Sequence, residues 1–365
     1  MTKYHKKLGY DVDVIASLKM FDQNGQLTVL RDASSYQNQD GVFVVRLRYR
    51  RPVCLYQRFR RYIGFRQALE HSAPDVIFVH GCQFMDIDII ADYAKRHPDV
   101  RIYVDNHADF SNSAKNWLSR TVLHGVFWRR CAKVIAPYTQ KFYGVLPARV
   151  DFLENVYGLP AEQCALLVMG ADDELVERAR QSGARHRIRE RFHIADDDFL
   201  VVTGGKIDRW KTQTVLLMQA VHAIRDRRVK LLVFGSVEDA LKPQVEALAD
   251  GERVQYIGWI PAEESYEFFE AADLAVFPGR HSVLWEQAAG QGTPMLVKDW
   301  AGTHHVDLGG NVRFLTEDSA AEIRAEIERL LEDPACFEAM RAVAREKGTE
   351  AFSYRQIARR AIPGS

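Results

Sequence analysis

The sequence predicts an α/β protein of two domains, each carrying a mainly parallel sheet. Three observations predict it. Short runs of β-branched and aliphatic residues alternate with helical patterns from one end to the other. The 365 residues suit two domains of ordinary size. A charge-rich stretch with no strand signal, Asp172–Asp198, falls at the midpoint, and a new strand opens directly after it.

In the first half the strand candidates are Asp11–Ser17, Val42–Arg48, Val76–His80, Arg101–Asn106 and Val134–Pro137. In the second half they are Leu200–Gly204, Lys230–Phe234, Val254–Ile257, Leu274–Phe277 and Met295–Val297. Most are near-continuous apolar runs, as strands buried on both faces should be. The pattern is that of two Rossmann-like units joined near residues 170–195. The expected domains are 1–170 and 171–350, with a closing helical segment, 351–365, packing back toward the first. Such an arrangement leaves a cleft between domains, and open parallel sheets bind ligands at the carboxyl ends of their strands.

The start of the chain is unusual. Thr2–Leu8 reads as the end of a helix with Gly9 as its C-cap, followed at once by a strand. A Rossmann unit normally opens on a strand and a Gly-containing loop. The native protein is therefore expected to carry roughly 20–30 further residues ahead of Met1. Without that first strand, the N-terminal sheet is expected to show a gap at its centre.

Composition excludes several classes. Lys+Arg and Asp+Glu both number 49, so net charge exerts no bulk pull toward nucleic acid. Cys54, Cys82, Cys131, Cys164 and Cys336 include no CxxC spacing, which argues against a zinc cluster or redox pair and fits a reducing cytoplasm. No uncharged apolar run reaches the ~18 residues of a membrane span. The basic N-terminus, MTKYHKKLGY, has no apolar stretch behind it as a signal peptide would.

The sharpest chemical signal lies in the second half. Strand Leu200–Thr203 ends in Gly204-Gly205-Lys206, with Lys211 five residues on. Glycines at a strand end let a ligand approach the backbone, and two lysines can neutralise a diphosphate. On spacing alone, a plain strand–turn–helix with solvated lysines explains it equally well. The next segment adds weight. Strand Leu274–Pro278 runs into Gly279-Arg280-His281-Ser282, and a helix begins near Val283. Backbone N–H groups at that helix start make an anion site. Glu286, one turn in, is either a carboxylate open to ribose hydroxyls or an ordinary exposed helix residue. In the first half, His80 and His107 end two strands, each facing the cleft or simply capping its strand.

Taken together, these segments resemble the retaining glycosyltransferases of family 4, the group 1 type with the GT-B fold. Val202–Lys211 (VTGGKIDRWK) resembles that family's phosphate motif, and Leu231–Ser236 (LLVFGS) its next strand and turn. Val254–Ala272 resembles the base-recognition strand and helix, and Leu274–Pro294 the signature segment ending in Gly292-Thr293-Pro294. Val168–Asp172 (VMGAD) resembles the linker, and FSYRQIARRAI the closing helix. The resemblance implies a nucleotide-diphosphate sugar as donor and a sugar or lipid-linked acceptor, in bacterial polysaccharide or glycolipid assembly. It implies catalytic roles for His107, Lys206 and Lys211. Donor contacts fall on Gly204, Gly205, Trp259, Gly279, His281, Ser282, Val283 and Glu286, and His80 and Asp109 fall on the acceptor side. No cofactor or metal is expected. Asp11-Val12-Asp13 and Asp86-Ile87-Asp88 spell D-x-D but lie far in sequence from the phosphate motif.

One departure stands out. The family carries two glutamates separated by seven residues. Here Glu286 fits the second, but Pro278 occupies the first. Anchored instead on Gly292-Thr293-Pro294, the pair falls on Gly279 and Gln287. The alternatives are a nucleotide-sugar 2-epimerase using Asp105 and Asp109, or a catalytically weak relative that only binds nucleotide sugar.

Val45–Gln67 holds eight arginines and no acid, interleaved with Tyr49, Tyr56, Phe59, Tyr62 and Phe65. From Leu55 onward, positions 55, 59, 62 and 63 mark one helical face. The segment reads as a helix with a solvated arginine face or as a peripheral contact with an anionic inner-membrane surface, with Arg58, Arg60 and Arg61 as contacts. No nucleic-acid fold accompanies it, so nucleic acid is not an expected partner.

Overall fold

The computed structural model describes residues 1–21, 27–114, 116–209 and 211–364. The chain forms two compact units: Met1–Val168 with the residues from Ile357 onward, and Met169–Gln356.

In the first unit the strands are β1 (Asp13–Ser17), β2 (Lys19–Phe21), β3 (Leu27–Val29), β4 (Ser34–Gln37), β5 (Phe43–Leu47), β6 (Val76–His80), β7 (Arg101–Asn106), β8 (Thr139–Gly144) and β9 (Cys164–Leu166). They form separate sheets. β6, β7, β8 and β9 run parallel in that order, β1-β5-β4 makes a second sheet, and β2 pairs antiparallel with β3. Among the described residues β1 and β6 share no ladder. The helix Thr2–Lys7 buries Tyr4 and His5. The His5 ring lies 6.5 Å from Phe78 of β6, and its Nε2 bonds the Ala358 carbonyl at 3.1 Å. Tyr143 of β8 donates to the Arg360 carbonyl at 3.2 Å. The closing helix Tyr354–Ala361 thus contributes its last residues to the first unit.

The strand expected at Val134–Pro137 is not one. Arg129–Ile135 is a helix, Ala136–Tyr138 a tight turn, and the strand starts at Thr139. The end of the helix, Val134 and buried Ile135, runs straight into Ala136 and Pro137 of the turn, and the four together make a short apolar run. Short apolar runs are ambiguous for this reason.

The second unit carries β10 (Phe199–Gly204), β11 (Val229–Phe234), β12 (Val254–Gly258), β13 (Leu274–Phe277), β14 (Met295–Lys298) and β15 (Val312–Leu315). They form one parallel sheet in the order β12-β11-β10-β13-β14-β15. All four residues of β13 are buried, as continuous apolar strands require when helices cover both faces. The charge-rich stretch at the midpoint belongs to this unit. It folds into helices Asp173–Gln181 and Ala184–Arg191 within this unit. Arg185 and Arg189 reach the mostly buried Asp273 at 2.7 and 3.2 Å, and Asp273 also accepts the Leu200 N–H at 2.8 Å. Two arginines of this segment thus anchor it to the sheet.

Candidate functional site

Strand order directs attention to one point of the second sheet. The chain runs outward from β10 to β12, then returns to place β13 on the other side of β10. Loops diverge at such a switch, and ligands bind beyond the carboxyl ends of the two strands. The loop after β10 carries Gly204, Gly205 and Lys206, and the loop after β13 carries Gly279 through Val283.

The two glycines have distinct causes. A Cβ on Gly204 would lie 2.1 Å from the Phe234 ring, so packing forbids it. Gly205 sits at φ +117°, a backbone state that side chains rarely adopt. Lys206 is largely exposed, with its Nζ 3.7 Å from Asp208. Lys211 is half-buried. Burial, the largest influence, lowers its pKa; Asp208 pushes it back up, and Arg280 lowers it again. A partly desolvated lysine beside a second cation is poised for an anion. Arg280 was not among the expected donor contacts, although it lies inside the loop that supplied four of them. Trp210, between the lysines, lies outside the described residues.

After β13, the Ser282 carbonyl accepts from Trp285 N–H and the Val283 carbonyl from Gln287 N–H, which starts the helix Leu284–Gln291. The side chains of Val283 and Trp259 are exposed at the carboxyl ends of β13 and β12, with Trp259 45% accessible.

Glu286 behaves differently from either expectation. It is neither an exposed helix residue nor a carboxylate open to ribose. It is fully buried, and its Oε1 accepts from His281 Nε2 and His305 Nε2, each at 2.8 Å. Burial, the largest influence, pushes its pKa up, but the two histidines outweigh it and hold the carboxyl at about 2. Glu286 Oε2, His305 Nδ1 and Trp285 Nε1 are buried and have no hydrogen-bond partner among the described residues. Glu286 therefore ties together the loop after β13, its helix and the turn His304–Val306. Gln287, the other residue considered for this role, is half-buried, and its Oε1 lies 3.5 Å from Ser265 Oγ.

The first unit holds a second group of the same composition. Parallel pairing of β6 with β7 sets His80 opposite Asp105, and His107 follows the end of β7. Asp105 Oδ2 faces His80 Nδ1 at 2.8 Å and His107 Nε2 at 3.1 Å, while Oδ1 accepts the Gly81 N–H at 2.9 Å. Burial, the largest influence, would raise its pKa, but hydrogen bonds from both histidines hold it at about 2. In each group the three ligand atoms lie within 4.8 Å of one another, a spacing that could hold a divalent cation. His305 and Asp105 complete these groups, and no local sequence spacing announces either. Asp109 stands apart from Asp105: its Oδ1 accepts from the Ser111 N–H and hydroxyl, and its Oδ2 from Arg149 at 3.0 Å.

The arginine-rich segment also departs from its expected form. Its helix spans only Val53–Phe59, and Arg60 at φ +54° ends it. Tyr62 instead bridges antiparallel to Tyr49. Positions 62 and 63 thus do not share a helical face with 55 and 59. Arg58 and Arg60 are exposed, whereas Arg61 turns toward Asp86 and Asp88, at 3.4 and 3.7 Å. A cavity of about 770 Å³ nearby is lined by Arg50, Arg51, Arg61 and Arg66 together with Asp88. No helix among the described residues is long and apolar enough to cross a membrane.

Comparison with known proteins covers most of the chain. Residues 2–167 match the family described as Glycosyl transferase 4-like domain, and residues 198–333 that described as Glycosyl transferases group 1. One relative, D-inositol 3-phosphate glycosyltransferase 1 of Catenulispora acidiphila, is 28% identical over 210 residues. That match takes in 53% of this chain and 49% of the relative, so the chain spans about half the length of the relative. Sucrose-phosphate synthase of Thermosynechococcus elongatus superposes with a TM-score of 0.66 at 17% identity, over 98% of this chain and 89% of that one. Anabaena HepE, solved in complex with UDP, gives 0.66 at 17% identity, over 88% and 85%. These structures share the fold, α/β with two Rossmann-like units, of GT-B type.

Proposed function

Because this chain belongs to the glycosyl transferases of group 1, we propose that it is a retaining glycosyltransferase that takes its sugar from a nucleotide-diphosphate donor. The observation that carries the reading is the pair of loops at the β10/β13 switch point. They bring Lys206, Lys211 and Arg280 to the carboxyl ends of two adjacent parallel strands, beside the start of a helix. Charge that develops on a departing diphosphate would be stabilised there by fixed cations and N–H groups. Trp259 offers an exposed aromatic face to the nucleotide base. Retention by front-face attack lets the leaving phosphate take the acceptor proton, so no metal ion or side-chain base is required. His107 positions sugar and acceptor. An epimerase would need a free carboxylate, and the saturated Asp105 and Asp109 disfavour one.

Lys206→Ala and Lys211→Ala should each weaken binding of nucleotide diphosphates by roughly one to two orders of magnitude, since a charge-assisted contact contributes ~1.5–3 kcal/mol. Titration calorimetry with a nucleotide-sugar panel reads this directly. Near-normal affinity and turnover in both variants would overturn the donor site. Turnover should persist in EDTA, and a strict requirement for a divalent cation would remove the metal-free mechanism. Product analysis separates transfer from epimerisation.

We further propose that the acceptor is a sugar or a lipid-linked glycan in polysaccharide or glycolipid assembly, met by this protein at the cytoplasmic face of an anionic membrane. Exposed Arg58 and Arg60 support contact with such a surface. Sedimentation with anionic vesicles should fall as salt rises and when Arg58, Arg60 and Arg61 are neutralised together. Equal sedimentation of wild type and variant at low salt would remove the membrane contact.

A further inference from the structure

We propose that Arg60, His80 and His107 form a subsite for a phosphate group at the carboxyl ends of β6 and β7, with Asp105 as the positioning residue that aims both histidines. This rests on the reading above for the identity of the ligand's owner, the acceptor, and it adds that the acceptor carries a phosphate ester.

An ionised carboxylate only accepts hydrogen bonds, so the histidine nitrogens facing Asp105 Oδ2 carry protons. The second nitrogen of each ring, His80 Nε2 and His107 Nδ1, has no protein partner among the described residues. The rings lie 4.4 Å apart, and the His80 side chain is 75% exposed. Asp105 itself is not available to a ligand. It is 4% exposed, and both oxygens are taken, one by two histidines and one by the Gly81 N–H. The hydrogen bond to Asp105, and then that carboxylate's charge, raise the pKa of His80 and favour a donor at its outward Nε2, while the outward nitrogen of His107 is left open beside it.

Arg60 then decides the sign of the ligand. Its backbone sits at φ +54°, a state uncommon for a side-chain-bearing residue and enriched at functional sites. It has no ion pair or hydrogen bond among the described residues. Its Nη1 lies 3.9 Å from where a side chain on Gly81 would begin, so the guanidinium stands beside the residue that follows His80. One unpaired guanidinium and the His80 ring, beside a carboxylate whose oxygens are both taken, leave a surface suited to an anion. Planar guanidinium donors match phosphate oxygens. The three ligand atoms of His80, Asp105 and His107 could by spacing hold a divalent cation, but Arg60 opposes one.

The test needs no turnover. Inorganic phosphate and glycerol 3-phosphate are titrated into the full chain while the imidazole resonances of His80 and His107 are followed. Both ligands should shift both residues saturably. Arg60→Ala, at an exposed position, should weaken binding about tenfold or more, with Arg60→Lys recovering only part. Asp105→Asn should weaken it too. In parallel arms, phosphatidate vesicles are compared with phosphatidylcholine vesicles, and Zn²⁺ replaces phosphate. Binding of the soluble ester assigns a free phosphorylated acceptor, and binding confined to phosphatidate assigns a lipid one; either supports the subsite. It is overturned if neither histidine shifts with any phosphate probe, if Arg60→Ala binds phosphate as wild type does, or if Zn²⁺ binds at these histidines while phosphate does not. Phosphate binding in a protein that transfers no sugar would retire the glycosyltransferase reading and leave the subsite standing. Transfer without any phosphate binding would do the reverse.

Discussion

Among the described residues two histidine–carboxylate–histidine groups occur, one in each unit, and they are made differently. In the first unit, Asp105 lies beneath two solvent-facing rings, and both of its oxygens have partners. In the second, Glu286 is buried together with its histidines, one oxygen accepts from both, and the other has no partner among the described residues. Each group sets one carboxylate between two histidines, yet the environments assign opposite tasks. A group at the surface can exchange a water for a ligand. A group sealed in the core cannot, and its carboxylate is met by two histidine N–H groups instead of water. The open group is a candidate for binding, and the closed one is a strut that fixes the loop after β13 to the helix and turn behind it.

The largest effect should come from breaking the strut. Glu286→Ala leaves two buried imidazole N–H groups without an acceptor, and removal of one partner from a buried charged set costs ~3–5 kcal/mol. Glu286→Gln should cost less. Its amide oxygen can still accept from both rings, and only the amide nitrogen enters an apolar setting, a loss of ~1–3 kcal/mol. Urea denaturation of both variants would show the order. Glu286→Ala within about 1 kcal/mol of wild type would mean that burial does not make this group a strut.

How much of this was legible beforehand depends on the kind of pattern involved. β10 through β14 could be read because strands buried on both faces are continuous apolar runs. Lys206, Lys211 and Gly279–Val283 could be read because short motifs at strand ends keep their ligand groups close in sequence. His305 could not, since it lies 19 residues beyond Glu286 with no repeating spacing to link them. Asp105 was visible only as a spare carboxylate. Its grip on His80 depends on the β6/β7 register, which is fixed by packing and not by any local pattern. The run Val134–Pro137 misled because the last residues of a helix and the first of the turn after it join into one short apolar stretch, which periodicity cannot tell from a strand.

Acid should separate the two units. His124 in the first unit is buried between Ser113 Oγ and Tyr157 Oη, and burial lowers its pKa to about 4. Below its ordinary value of 6.5, the unfolded chain takes up a proton that the folded chain refuses. Stability is therefore whole above pH 6.5 and falls toward pH 4, by about 1.4 kcal/mol per unit of pKa shift, or ~3 kcal/mol in all. His5, also lowered by burial, acts in the same direction. His80 is shifted up by Asp105 and acts in the opposite direction, but it is mostly solvent-exposed and contributes less. In the second unit Glu286 is held at about 2, so its contribution is whole above its ordinary value of 4.5 and is lost only below that. Hydrogen exchange should show β7 amides losing protection between pH 6 and 5 while β10 amides keep theirs. Equal loss in both strands over that interval would contradict the assignment.

The smallest expected change in stability is at the open group, and it sharpens the comparison most. Asp105→Asn keeps one oxygen that can accept from Gly81 or a histidine, and the rings it releases already meet water. The stability loss should stay within ~1–2 kcal/mol, the range for charged hydrogen bonds that solvent can partly replace. The electrostatic effect should be larger than the structural one. His80 owes its raised pKa first to the Asp105 hydrogen bond, then to that carboxylate's charge, against the opposing pull of burial and of Arg60. With the charge gone, the opposing influences remain, and the His80 titration midpoint should fall below that of wild type when followed by NMR. Stability and midpoint thus move independently at Asp105, whereas at Glu286 the loss of the carboxylate unfastens the structure itself. If Asp105→Asn destabilised the first unit as much as Glu286→Ala destabilises the second, exposure would not be what distinguishes the two groups. If the His80 midpoint stayed where it was, the carboxylate would not be setting the charge of the open one.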